Sequence, residues 1–129
     1  MPFASLGLVP EFGSSLLVPR LMGGRRAAEK LLLGDPFTAE IAVECGIANA
    51  VLPAAEVLPH ARRVAERFNA LPPNAVRESK RLLREPDRAA LLDAVKREAA
   101  VFTAQLSSAE AREAMQAVLE KRKPDFSKF

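Results

Sequence analysis

The stretch Leu6-Gly7-Leu8-Val9-Pro10-Glu11-Phe12-Gly13-Ser14-Ser15 puts one carboxylate, Glu11, into a bend between apolar residues and the start of a short helix. Pro10 fixes its own φ and pushes Val9 toward an extended conformation. Gly13 allows a sharp turn. Ser14 or Ser15 can cap the helix that follows. Glu11 is therefore predicted on a stiff corner beside Leu8, Val9 and Phe12. A carboxylate held against apolar groups loses hydration and becomes a better base. The spacing equally admits an acid set near a helix N-terminus for the dipole, with its head in water.

The totals suit a single helical domain. Of 129 residues, 49% are hydrophobic and 27% charged, with seven Phe but no Trp and no Tyr. Ala and Leu dominate the apolar set, and both favour helix. A chain this long can bury a core. The net charge of +3 and the pI near 9.4 lean mildly toward anionic partners. Phosphate-bearing small molecules fit that lean as well as nucleic acid does. No basic patch interleaved with aromatics is present, so nucleic acid is not an expected partner. Cys45 is the only cysteine. It excludes an internal disulfide, makes the reducing cytoplasm the simplest compartment, and is expected as a free buried thiol. His60 is the only histidine, in a polar helix start, and is expected at the surface. No His-based metal cluster is possible, and no metal is expected. The apolar runs are short and broken by Pro, Gly or charge, so neither a signal peptide nor a membrane span is expected.

Outward from the bend, Met1 to Ser5 carries no helix start and reads like the middle of a longer fold. Helices are predicted over 14–22, with Pro19 kinking or dividing it, over 25–33 up to Gly34, and over 39–45 behind the cap Thr38. Ile47 to Leu52 is the one plausible strand. An amphipathic helix is predicted over 55–71, with Val57, Ala61, Val64, Ala65, Phe68 and Leu71 at helical spacing. Another runs over 74–84, where Arg77, Lys80, Arg81 and Arg84 form a basic stripe that reads as a solvated face. Pro86-Asp87 opens a further helix to 106. Ser107 and Glu110 are spaced as a capping box for the last helix, over 109–122. The apolar stripes of the long helices are wide, which suggests surfaces buried against another subunit or another domain.

The order of these blocks resembles the C-terminal half of the crotonase superfamily, the enoyl-CoA hydratase/isomerase family. The likeness runs from Pro2 to about Phe126. It includes Leu6-Gly7-Leu8-x-Pro10-Glu11-x-Gly13-Ser14-Ser15, Leu17-Val18-Pro19-Arg20-Leu21-Met22-Gly23 and Arg26-Ala27-x-Glu29. It continues with Leu32-Leu33-Gly34-Asp35-Pro36-Phe37-Thr38-Ala39, Glu44-x-Gly46-Ile47-Ala48-Asn49-x-Val51, and Leu71-Pro72-Pro73-Asn74-Ala75-Val76. Glu120-Lys121-Arg122-Lys123-Pro124-Asp125-Phe126 completes it. Each block alone is weak; their order and spacing together are specific. The fold implied is mainly α, with at most one or two short strands and the N-terminal ββα spiral absent. Residues 1–53 would end the catalytic core, and residues 54–129 would form a helical oligomerisation region.

The resemblance implies a CoA-thioester enzyme that passes through an enolate held in an oxyanion hole. Coenzyme A enters as part of the substrate, and no other cofactor is expected. Hydratases of the family use two glutamates. One lies in the half absent here, and the other falls where this chain has Phe3, which argues against hydration. Glu11 matches the base of one group of enoyl-CoA delta isomerases. Phe3, Leu8 and Phe12 would line the substrate pocket. Lys121 matches a lysine that touches the nucleotide end of CoA; a solvated lysine is the alternative. The helices from Asn74 to Arg122 resemble the part that builds trimers, so a homo-oligomer is the expected partner. The isolated chain is expected to be inactive, since its own sequence lacks the oxyanion half. A helical self-association module without chemistry is the other reading.

Overall fold

The computed structural model describes all 129 residues, and every regular element in it is helical. A 3-10 turn over Ala4–Leu6 leads into the Glu11 bend. Six helices follow: α1 (Ser14–Met22), α2 (Gly24–Ala28), α3 (Ala39–Glu44), α4 (Ala54–Asn69), α5 (Pro73–Leu106) and α6 (Ala109–Leu119). A single π turn over Glu29–Leu33 extends α2 and stops at Gly34. No helix is long and apolar enough to cross a membrane.

The core is small and lies at the N-terminal end. Val18 and Met22 lie one helical turn apart on α1 and face Ala27, Leu31 and Cys45. Met1, Phe3 and Ile41 pack against that cluster. Cys45 is a free, buried thiol. A second contact is made of small residues. Ala111, Ala114 and Ala117 share one face of α6 and are buried. Their short side chains let α6 approach the 3-10 turn closely, and α6 packs there and against α5. On α5, the buried face is Ala94 and Glu98, flanked by the half-buried Leu91 and Phe102.

Four sequence expectations are corrected. Residues 47–52 form no strand. A strand exists only where a neighbour completes its ladder, and this chain offers none. The helices expected over 74–84 and from Pro86 onward are one continuous α5 of 34 residues, about 50 Å long. Pro86 removes one hydrogen bond and crowds the carbonyl four residues back. The helix around Pro86 is exposed from Arg77 to Ala90, so water can serve the released Leu82 carbonyl. The α6 cap is Ser108, whose Oγ accepts from the Ala111 N–H at 3.0 Å. The Ser107–Glu110 box therefore does not form. Lastly, α1 is not capped by its own serines, since Gly13 occupies the cap position without a side-chain bond.

The surface is larger than the mass warrants. The chain exposes 9743 Å², whereas a compact protein of 14.0 kDa exposes about 6,700 Å². The excess, about 3,000 Å², is of the size that large permanent interfaces cover. Helix α4 shows where some of it lies. Its apolar stripe (Val57, Val64, Phe68) is intact, yet no residue of α4 is buried.

Candidate active site

Glu11 sits in a turn of consecutive left-handed residues. Phe12 has φ 61°, and Gly13 has φ 78°. Left-handed backbone is unusual for an aromatic residue and costs on the order of 1 kcal/mol or more. Phe12 is also 88% exposed, beside an exposed Glu11. An apolar ring and a carboxylate are thus displayed together at a strained corner. The turn is braced from within: the Ser14 N–H and Oγ both donate to the Glu11 carbonyl, at 3.0 and 2.6 Å.

It is braced from outside by a residue the sequence reading did not single out. Glu98 of α5 is the only buried charged side chain, 6% exposed. One of its oxygens accepts from the Gly13 N–H at 2.6 Å. The other accepts from the Ser15 N–H at 2.8 Å and the Ser15 Oγ–H at 2.5 Å. These amides are among the first of α1, which have no partner within the helix. The cap of α1 is therefore a carboxylate 85 positions away in sequence. A signal for it exists: Leu91, Ala94 and Glu98 share one α5 face, and an acid on an apolar face needs a buried partner.

The other expected site residues separate. Leu8 is half-buried, and its N–H donates to the Phe3 carbonyl at 2.9 Å. Phe3 packs against the core cluster, which ties it to the fold. The desolvation expected for Glu11 is not supplied by this chain's own atoms, because the side chain is exposed. Lys121 lies beyond the C-terminal end of α6, with φ 54°. The eight helical steps from Ala111, the α6 residue nearest Gly7, to Leu119 rise about 12 Å, and Lys121 follows two residues further on. His60 is exposed.

The basic stripe lines a groove that reaches the turn through Leu91. An open groove of about 1120 Å³ runs along α5, lined by Leu17, Leu83, Leu91, Arg84 and Arg88 among others. Leu91 lines this groove and also packs on Gly13. The stripe is partly neutralised, for Arg81 bonds Glu78 and Glu85 at 2.9 and 2.5 Å.

Around Lys121 the backbone is anchored by ion pairs. Arg122 donates to both oxygens of Glu113, at 2.5 and 3.2 Å, and to Glu120 at 2.6 Å. The Asp125 N–H also donates to Glu113, at 2.9 Å. The Arg122 hydrogen bonds, then the Asp125 amide, hold the Glu113 carboxyl down at about 2, below its ordinary 4.5. A depressed carboxylate stabilises above its unfolded value and stops doing so as pH falls through its folded one. The tail around Asp125 is thus expected to detach between pH 4.5 and 2. Amide exchange at Asp125 reads this directly, and Arg122→Ala should move the transition to higher pH. A tail that stays protected at pH 2 would contradict the assignment.

Comparison with known proteins supplies the context for this arrangement. The family model for enoyl-CoA hydratase/isomerase matches residues 1–128. A crotonyl-CoA hydratase from Syntrophomonas wolfei is 34% identical over 125 residues, 97% of this chain and 48% of the relative. Enoyl-CoA delta isomerase 2 from Rattus norvegicus is 37% identical over 87 residues, 67% of this chain and 22% of the relative. Among solved structures, an enoyl-CoA hydratase/isomerase from Pseudoalteromonas atlantica superposes with TM-score 0.90 at 37% identity. That match covers 98% of this chain and 51% of the other. OdaA from Pseudomonas aeruginosa gives 0.89 at 49% identity, over 92% and 49% of the two chains. The chain spans about half the length of the curated full-coverage relatives it matches.

Proposed function

The chain belongs to the enoyl-CoA hydratase/isomerase family, and from that premise we propose that it carries the acid/base of an enoyl-CoA isomerase, with Glu11 moving the proton. The observation that carries the reading is the braced turn that displays Glu11 beside an exposed Phe12. In the proposed step the Glu11 carboxylate takes a proton from the α-carbon of a 3-enoyl-CoA. The C–H electron pair becomes the double bond of a thioester enolate. Collapse of that enolate forms the bond between the α- and β-carbons. The electrons of the old double bond then take the same proton from Glu11 at the γ-carbon. Nothing is added or lost, which a single carboxylate suits and a hydration does not.

This chain's part is the base, the Phe12 wall and the groove beside Gly13 that opens toward Leu17 and Leu91. The oxyanion donors and the cover that would dehydrate Glu11 fall to the part of the fold that the relatives carry and these 129 residues do not. Losing one oxyanion donor typically costs about 10²–10³ in turnover. The chain by itself is therefore expected to be inactive. Acyl-CoA is the proposed substrate, Lys121 the proposed contact for its nucleotide end, and a trimer-type homo-oligomer the proposed assembly. The excess exposed area also favours a second reading, a self-association module, in which α4 and α5 are covered without any chemistry.

The N-terminal half of the Pseudomonas aeruginosa relative, fused ahead of Met1, tests both. The fused enzyme should convert 3-enoyl-CoA to 2-enoyl-CoA and hydrate 2-enoyl-CoA poorly, while the 129-residue chain does neither. Robust hydration by the fusion would defeat the isomerase reading. Turnover by the chain alone would defeat the division of labour.

A further inference from the structure

The geometry points to Glu98 as the positioning residue of the Glu11 turn: its buried carboxylate fixes the backbone that aims the base. This rests on the reading of Glu11 as base, but its structural part stands by itself.

The argument begins with cost. Glu98 is 6% exposed and forms no ion pair; its side-chain partners are Gly13 and Ser15 alone. A carboxylate in such a place is expensive unless its lone pairs are filled. Three donors fill them here, two from backbone amides at the start of α1 and one from a hydroxyl. The positive end of the α1 dipole adds to this. Bonds to an ionised acceptor are roughly twice as strong as neutral ones.

The local alternative is already occupied, because Ser14 turns its hydroxyl back to the Glu11 carbonyl. Glu98 thus ties down Gly13 and Ser15, on the helix side of the turn, while Ser14 ties down the residue bearing the base. An amide at position 98 cannot substitute. With its oxygen toward Ser15, its NH₂ meets the Gly13 N–H; turned the other way, it meets the Ser15 N–H. One donor faces another in either case. The turn must then shift, and a displacement of about 1 Å at a reacting group can cost on the order of 100-fold in rate.

Amide spectra of the 129-residue chain test the tether without any catalysis. In Glu98→Gln the Gly13 and Ser15 amide protons should move upfield and exchange faster, with Gly24 unchanged. Ser15→Ala, at an exposed position, should shift the same two signals less and keeps the test open if Glu98→Gln does not fold. In the fused enzyme, Glu98→Gln should lower kcat roughly 10- to 100-fold with KM nearly unchanged. Glu98→Asp, which keeps the charge, should recover part of the loss.

Unmoved amides overturn the tether. So does a parallel loss of kcat, KM and thermal stability in Glu98→Gln with Ser15→Ala silent, since that describes mere scaffolding. If Glu11→Gln leaves turnover intact while the amides still move, the base assignment fails and the tether survives. If Glu11→Gln abolishes turnover while Glu98→Gln leaves kcat untouched, the base survives and positioning by Glu98 fails.

Discussion

Glu11→Gln in the fused enzyme is expected to lower kcat for 3-enoyl-CoA isomerisation by about 10³-fold, within the usual range for general acid–base catalysis. KM should change little. The amide has the carboxylate's shape but cannot take a proton, and the proposed reaction uses that group twice, at the α- and the γ-carbon. The variant is also structurally quiet. The Glu11 side chain forms no hydrogen bond and no ion pair in this chain; only its backbone carbonyl is engaged, by Ser14. Thermal unfolding of the 129-residue chain should therefore match that of the parent. A loss confined to kcat, with stability unchanged, separates chemistry from folding. Unchanged turnover in Glu11→Gln would place the base elsewhere.

The exposure of Glu11 shapes that expectation. A base in water is held back by its own hydration, and the neighbours on this chain do not remove it. In the proposed enzyme the cover comes from beyond these residues, and the surplus surface of about 3,000 Å² gives it somewhere to dock. The strained Phe12 fits this, because an aromatic side chain held out at a left-handed corner gains most when something closes over it.

The residues show clearly which parts of this could be read in advance. The bend at Pro10–Gly13, the stop at Gly34 and the Thr38 cap, accepting from Ile41 at 3.4 Å, are local devices. Each depends on a few neighbours, so sequence spacing reveals them. Pro86 misleads for the same reason: it is a local breaker overruled by the helix on both sides. Ser107 and Ser108 are chemically equivalent caps one residue apart, and packing of Ala111 against the 3-10 turn chooses between them. Ile47–Leu52 has strand composition, but composition cannot create a partner strand. At the site, the corner holding Glu11 was legible, whereas its anchor was not. Glu98 reads as one more acid on a charged helix until the fold sets it under α1, and only its place on the Leu91–Ala94 face hinted otherwise.

The contact between Gly7 and α6 yields the largest expected effect on stability. Gly7→Ala should destabilise the chain by about 2–4 kcal/mol, read as a lower melting temperature and a lower denaturant midpoint. Two costs combine. Gly7 has φ 66°, where a side chain costs on the order of 1–2 kcal/mol. Its added Cβ would also lie 2.6 Å from the Ala111 nitrogen and 2.7 Å from the Glu110 carbonyl carbon. Both are backbone atoms and cannot rotate aside, so α6 has to lift from the 3-10 turn. Two other glycines divide the costs. Gly34 has the same left-handed backbone (φ 75°, ψ 5°) and a Cβ there would meet nothing closer than 3.4 Å, so Gly34→Ala should show the backbone term alone. Gly24 opens α2 with open space around it, and Gly24→Ala should be neutral or stabilising by about 0.5 kcal/mol. The graded series Gly24, Gly34, Gly7 is the signature of a helix docked directly on backbone. Equal losses at Gly7 and Gly34 would mean that α6 yields freely. The turn leading to Glu11 would then have lost the support that α6 gives it.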